Sequence, residues 1–289
     1  MIRVKVQDLI SQIGDLPTLP SVASRITQEM KNEALTAKML GAIIEGDTAL
    51  AAKVLRLANS AFYGLQKQVT SLDKAVMVLG FNTVKNLALS VSIHALFKGR
   101  PDSPIDVDGL WHHSLGCAVA AKVIIEKVDK KLNDDAFLFG ILHDIGKIVF
   151  INARPQDYEK ILLLMREKGL PQSEAEMEVM EFTHQRAGSL LLDSWKFPDS
   201  IILAVKYHHD PELKTAKIEP KEKDLIRALF LGNQLAKALH LGKSTNPVRE
   251  EIPKTVWQAL NIKRNEIKDV ASAIQGNYEL LLQAWNMEG

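Results

Sequence analysis

Phe137-Leu-Phe-Gly-Ile-Leu-His-Asp-Ile-Gly-Lys-Ile-Val-Phe150 is a run in which nearly every residue suits a protein core, yet His143, Asp144 and Lys147 stand inside it. The apolar run predicts a mostly buried helix over 136–151, with Asn133 and Asp134 as candidate caps. A carboxylate buried with no partner is so costly that it is normally neutralised, ion-paired or metal-bound. Lys147, three residues after Asp144, offers an ion pair within the helix, and the helix taken alone supports that simple reading.

The histidines elsewhere shift the balance. His113 lies on the preceding apolar helix, expected over 111–127, and His184 and the pair His208-His209 lie on or beside later ones. With His143 these make five of the chain's eight histidines. Neutral imidazole is a common ligand for Zn, Fe and Ni, and helix bundles build metal sites by aiming such side chains inward from several helices. Neighbouring residues on a helix point roughly 100° apart, so His143-Asp144 or His208-His209 can serve two sides of one cavity, or two ions bridged by a carboxylate. Spacing alone does not say whether His112 or His113 points inward. His94 and His240 are read as structural, and Lys53, Arg56, Lys67 and Lys85 as solvated faces.

Working outward, Lys98-Gly-Arg-Pro-Asp-Ser-Pro104 is the one clear break in the chain. It suggests an N-terminal helical subdomain over 1–100, a second over 105–245 and a helical tail over 246–289. Leu16 to Ser21 reads as an extended lead into a helix. Further helices are expected over 49–58, 72–79 (capped by Ser71 and ended by Gly80), 184–195, 200–209 and 225–241, with an acidic, exposed stretch over 173–181. Asn59-Ser60 reads as a helix-ending pair. No segment shows β-branched alternation with hairpin turns, so the expected class is all-α. The two helices around Gly80 could suggest a helix-turn-helix, but 83–96 is too apolar, with Lys85 its one strong base, to read a DNA groove.

Composition limits the function classes. The 289 residues are 46% hydrophobic and 25% charged, an ordinary globular balance with ample core. Thirty-six basic residues face thirty-five acidic ones, so no long-range pull toward nucleic acid or anionic lipid is expected. Cys117 is the sole cysteine, which excludes an internal disulfide. The start MIRVKVQDLISQIG lacks a signal-peptide pattern, and no later run is expected to reach the ~18 apolar residues of a membrane span, so a cytoplasmic protein is expected.

The order His113, His143-Asp144, His184, His208-His209 resembles the HD superfamily of metal-dependent phosphohydrolases, and Leu142-His-Asp-Ile-Gly-Lys147 is a common form of its signature. Leu16-Pro-Thr-Leu-Pro20, Leu55-Arg-Leu-Ala-Asn-Ser-Ala-Phe-Tyr-Gly64, Ala75-Val-Met-Val-Leu-Gly80, Trp111-His-His-Ser114 and His184-Gln-Arg-Ala-Gly188, with Trp195 and Pro198, narrow this to a resemblance to the HDOD family, the HD-related output domain. It covers about residues 8–235 and its His-Ser order selects His113. The resemblance implies an N-terminal helical bundle packed on an HD-type helical subdomain, and a bacterial signal-transduction output or scaffold module without catalysis. It implies a divalent metal ion (Fe, Ni, Zn or Mn) held by His113, His143, Asp144, His184, His208 and His209. The alternative it carries is a metal-dependent phosphohydrolase with a nucleotide-type substrate, Asp144 fixing the metal and Lys147 steadying phosphoryl charge.

Two departures from the pattern bear on that alternative. The superfamily's terminal ligand aspartate should fall in 229–236, where this chain has Asn233, and the Gly-Tyr-Pro element of relatives that cleave cyclic di-GMP is absent after His208-His209. Five neutral imidazoles and Asp144 supply one negative charge, too little for two divalent ions and marginal for one, so a mononuclear site or a weakly occupied second site is expected. A signalling protein is the expected partner, a nucleotide ligand stays open, and nucleic acid and membrane are not expected.

Overall fold

The computed structural model describes residues 17–31, 35–97, 103–213, 218–246, 248 and 250–286. Among these, every regular element is helical. The signal-peptide reading of 1–14 and most of the 98–104 break lie outside the described residues.

The N-terminal group comprises α1 (Ser21–Lys31), α2 (Ala37–Glu45), α3 (Thr48–Ala58), α4 (Leu72–Leu79) and α5 (Phe81–His94). Thr36, Asp47 and Ser71 accept hydrogen bonds from the main-chain N–H groups of Met39, Leu50 and Lys74, satisfying donors that a helix start leaves free. Asn59 ends α3 and also grips Val69, donating to its carbonyl at 2.8 Å and accepting from its N–H at 2.7 Å. Helices α1, α3 and α4 all pack on α5. Lys85 of α5, expected on a solvated face, is instead buried, with its ammonium donating to the Asn82 side chain at 3.0 Å. A long apolar stem with one polar contact at its tip makes that burial tolerable.

The second group comprises α6 (Val107–Ile125), α7 (Asn133–Leu142), α8 (Ile145–Ala153), α9 (Pro155–Lys168), α10 (Gln172–Met180), α11 (His184–Ser194), α12 (Asp199–Tyr207) and α13 (Pro220–Ala238), followed by α14 (Lys254–Ala259) and α15 (Ile267–Asn286). Helix α6 is the axis, contacted by α7, α13 and α15. Its small residues Gly116, Cys117, Ala118, Ala120 and Ala121 let backbones meet: a Cβ on Gly140 of α7 would lie 2.3 Å from the Ala118 Cα. Helix α15 also reaches α3, and its Trp285 lies 5.0 Å from Trp111 and 5.5 Å from His94 between ring centres.

The single helix expected over 136–151 is two helices, bent at His143-Asp144. Asp144 has φ −100° and ψ 11°, outside the regular helical well. The bend has a packing cause: α7 lies on α6, whereas α8 lies on α11. A Cβ at Gly146 would come within 1.9 Å of the His184 carbonyl oxygen, so glycine there lets α8 press against the start of α11. Asn133 and Asp134 are not caps either. They begin α7, where Asn133 donates to Glu126 and Asp134 receives the Thr83 hydroxyl at 3.0 Å, which ties α7 to α5. By length and composition Lys130–Ala153 would suffice to cross a membrane, contrary to the sequence expectation, but 89% of its apolar window is buried inside the protein.

Candidate metal centre

The bend places Asp144 among groups drawn from four other elements. Its Oδ2 accepts from the Lys147 ammonium at 2.8 Å and lies 3.2 Å from Nε2 of His143. Its Oδ1 lies 3.4 Å from Nε2 of His184, at the start of α11, and 3.7 Å from Nε2 of His208, just past α12. His113, on α6, stands 5.6 Å from His143 between ring centres. These five predicted residues are at most 1% exposed. His209, the sixth, is less buried and lies 5.4 Å from His184 between ring centres, at a cleft of about 210 Å³ that Gln172, Gln185 and Glu250 help to line.

The rings are held in one orientation. Nδ1 of His143 faces the Gly140 carbonyl at 2.8 Å, Nδ1 of His208 the Val205 carbonyl at 2.7 Å, Nδ1 of His184 the Glu176 carboxylate at 2.8 Å and Nδ1 of His209 the Glu250 carboxylate at 2.6 Å. Because each Nδ1 meets an acceptor, it carries the proton, and in the neutral ring Nε2 is left as a lone pair facing inward. Metal-bound histidines are oriented in this way by carbonyl and carboxylate acceptors.

With His184 and His208 in that tautomer, acceptors crowd together without protons to share. Nε2 of His184 lies 3.3 Å from Nε2 of His208, with Asp144 Oδ1 close to both. His143 Nε2 and Asp144 Oδ1 have no aligned hydrogen-bond partner despite complete burial. His113 faces oxygen on both sides, the Leu241 carbonyl at 3.3 Å and the Asn233 side-chain oxygen at 3.2 Å, and a neutral ring can donate to one of them only. Ligand atoms around a tetrahedral zinc ion stand about 3.4 Å apart. The 3.3, 3.4 and 3.7 Å edges between His184, His208 and Asp144 Oδ1 match that spacing, so the residues fit a divalent cation.

The electrostatics point the same way. Burial opposes ionisation of Asp144, but His143 and Lys147 outweigh it and hold the carboxyl well below its usual range. Burial likewise opposes a charged His143, yet Asp144 and Cys117 draw it up to about 10. His208 is driven down by burial and by the charges of its histidine neighbours, and His209 by burial despite Glu250. Positive charge is thus stabilised on His143 beside Asp144 while His208 and His209 are held neutral. A cation bound between them would satisfy both conditions.

Residues 16–211 match the family profile of the HDOD domain. The chain belongs to the HDOD family. An uncharacterized protein of Treponema pallidum (strain Nichols) is 24% identical over 273 residues; this chain is covered to 94%, but spans only 51% of that relative. The solved HDOD domain protein of unknown function from Geobacter sulfurreducens superposes with a TM-score of 0.80 at 21% identity, covering 98% of this chain and 97% of that one. A candidate phosphohydrolase of Shewanella amazonensis SB2B gives 0.73 at 21% identity, over 96% and 97% of the two chains. A candidate signal-transduction protein of Marinobacter aquaeolei VT8 gives 0.72 at 24% identity, over 99% of this chain and 62% of that one. At these identities the structural likenesses establish the fold.

Three residues of this HDOD chain belong to the centre although sequence reading passed over them. Glu176, in the stretch expected to be acidic and exposed, is fully buried and accepts from the His184 main-chain N–H at 2.8 Å as well as from its ring. Glu250 holds His209 and accepts from Gln234 at 3.4 Å. Cys117 lies one helical turn after His113, with Sγ 3.4 Å from its Nε2. The i,i+4 spacing of His113 and Cys117 was the one signal available in advance.

Proposed function

We propose that this HDOD chain is a bacterial signal-transduction output or scaffold module that holds a divalent metal ion at Asp144 and does not catalyse. The observation that carries this reading is burial. His113, His143, Asp144 and His208 are at most 1% exposed, and the cleft beside the cluster is lined by His184 and His209 alone among the expected ligands. At 1% exposure the Asp144 carboxylate presents almost no surface to a phosphoester. Two further features agree. Lys147, the group that would steady phosphoryl charge, is 2% exposed and already bonded to Asp144. Asn233 brings an amide to the place where an acidic ligand is expected. In this reading the ion stabilises the packing of α6, α8, α11 and α12 or senses its supply, and the module presents its outer surface to a signalling protein in the cytoplasm. The name of the Marinobacter relative supports the signalling class.

A second reading, a metal-dependent phosphohydrolase with a nucleotide-type substrate, is favoured by a different feature. A cleft of about 440 Å³ on the α13 side is lined by His113, Lys237, His240 and Lys243, the two lysines being cations suited to phosphate. A bound ion would supply a water of lowered pKa. Asp144 would hold that ion and Lys237 and Lys243 would receive the phosphate.

The two readings separate on a phosphoester panel, including cyclic dinucleotides and nucleoside phosphates, assayed with Mn, Fe, Ni or Zn supplied. The module reading expects no turnover above the metal-only blank. Turnover that disappears in Asp144→Ala would establish the hydrolase instead.

A further inference from the structure

Cys117 adds a second group able to carry negative charge beside the histidines. Cys117 Sγ and one ring nitrogen each of His113 and His143 lie within 4.8 Å of one another, all at most 1% exposed. Tetrahedral coordination of zinc by sulfur and nitrogen sets those ligand atoms about 3.6 Å apart. The Sγ to Nε2 distance of 3.4 Å is close to that value. Asn233 Oδ1 completes a fourth corner, 3.2 Å from His113 Nε2 and 3.9 Å from Sγ. Independently of the cysteine, His143 Nε2 is a buried nitrogen with no hydrogen-bond partner. Its Nδ1 is committed to Gly140, so this nitrogen presents a lone pair in the neutral ring.

From this arrangement we propose that Cys117, His113 and His143, with the Asn233 amide oxygen, form a thiolate-bearing metal site that takes a borderline-soft divalent ion of the zinc class. The site is distinct from the triad of His184, His208 and Asp144 Oδ1. It rests on the reading that the HD cluster holds metal, and it supplies what Asn233 withholds: a thiolate brings one negative charge where an aspartate would have brought it. On binding, the S–H bond breaks heterolytically, its proton leaves to water and the metal–sulfur bond forms, with no change of oxidation state. Sulfur also alters the preference among metals, favouring zinc-like ions over magnesium or manganese.

Cobalt(II) reports both the proposal and the reading beneath it. The full chain, stripped with chelator, is dialysed against Co(II) and its absorption recorded, then titrated with Zn(II). The expected result is visible ligand-field bands together with a near-ultraviolet sulfur-to-cobalt charge-transfer band. Zinc at comparable concentration should abolish that band, and magnesium in large excess should not. In Cys117→Ser the band should vanish while some cobalt is retained. The double substitution Cys117→Ser, Asn233→Asp should recover affinity without the band, because the lost charge is restored by oxygen. Cobalt bound by the wild-type chain with no charge-transfer band would overturn the thiolate site and leave the histidine–aspartate reading standing. Failure to bind cobalt at all would overturn both. The wild-type spectrum alone suffices should the variants fail to fold.

Discussion

Glu176 shows how a single buried carboxylate governs this centre. It accepts from the Gln172 side chain at 2.8 Å and from both the main-chain N–H and the ring of His184. Its negative charge fixes the His184 proton on Nδ1 and makes Nε2 the more basic toward a cation. Outer partners of this kind typically account for 10–100-fold in metal affinity. Glu176→Gln should therefore leave the fold intact and weaken zinc binding by roughly 10–100-fold in a competitive chelator titration. Equal affinities for variant and wild type would show that Glu176 does not steer His184. The residue was hidden in the sequence because Ser173-Glu-Ala-Glu-Met-Glu-Val-Met-Glu181 has acids around most of its circumference, so periodicity could not single out the inward one. Asp144 was legible for the opposite reason: its neighbours are so apolar that its burial, and hence its need for partners, followed directly.

Helix starts and bends carry the next level of organisation. Asp106 caps α6, accepting from the Gly109 N–H at 2.8 Å, and its other oxygen accepts from Lys243 at 2.7 Å. The Lys243 contact, then the Gly109 bond, hold the Asp106 carboxyl below its usual pKa of 3.8. Lost capping of this kind typically costs about 1 kcal/mol, so Asp106→Ala should lower unfolding free energy by about that much at neutral pH. A folded-state pKa below the unfolded one means the contribution is complete above the ordinary carboxylate range and is lost as pH falls through the depressed value. In urea unfolding the gap between wild type and Asp106→Ala should close as pH drops below 3.8. A gap that stays constant to lower pH would refute the capping account. Caps written into local sequence, such as Ser71 and Gly80, were readable before the structure, and so was the helical class. The bend at Asp144 was not, because it arises from α8 docking on α11, a contact between residues some forty positions apart that apolar pattern does not encode. Lys85 was misplaced for a similar reason: a lone lysine on an apolar helix looks like its wet edge until the packing partner is known.

At the scale of the molecule, packing against α6 and the press of α8 on α11 gather groups spread from His113 to Glu250 around one carboxylate. Burying that charge would be prohibitive without compensation, and Lys147 supplies only part of it. The inward lone pairs of His184 and His208 would then repel each other and Asp144, an arrangement that added positive charge makes favourable. Ligand order along the chain was readable in advance, whereas the acceptors that lock each ring were not, since all of them are main-chain carbonyls or acids with no motif of their own. The most direct test is calorimetric titration of chelator-treated chain with Zn(II), compared with the same titration of Asp144→Asn. The account expects at least one ion bound per wild-type chain, with affinity lost or sharply reduced in the variant. No binding by the wild type, or binding undiminished in Asp144→Asn, would contradict it.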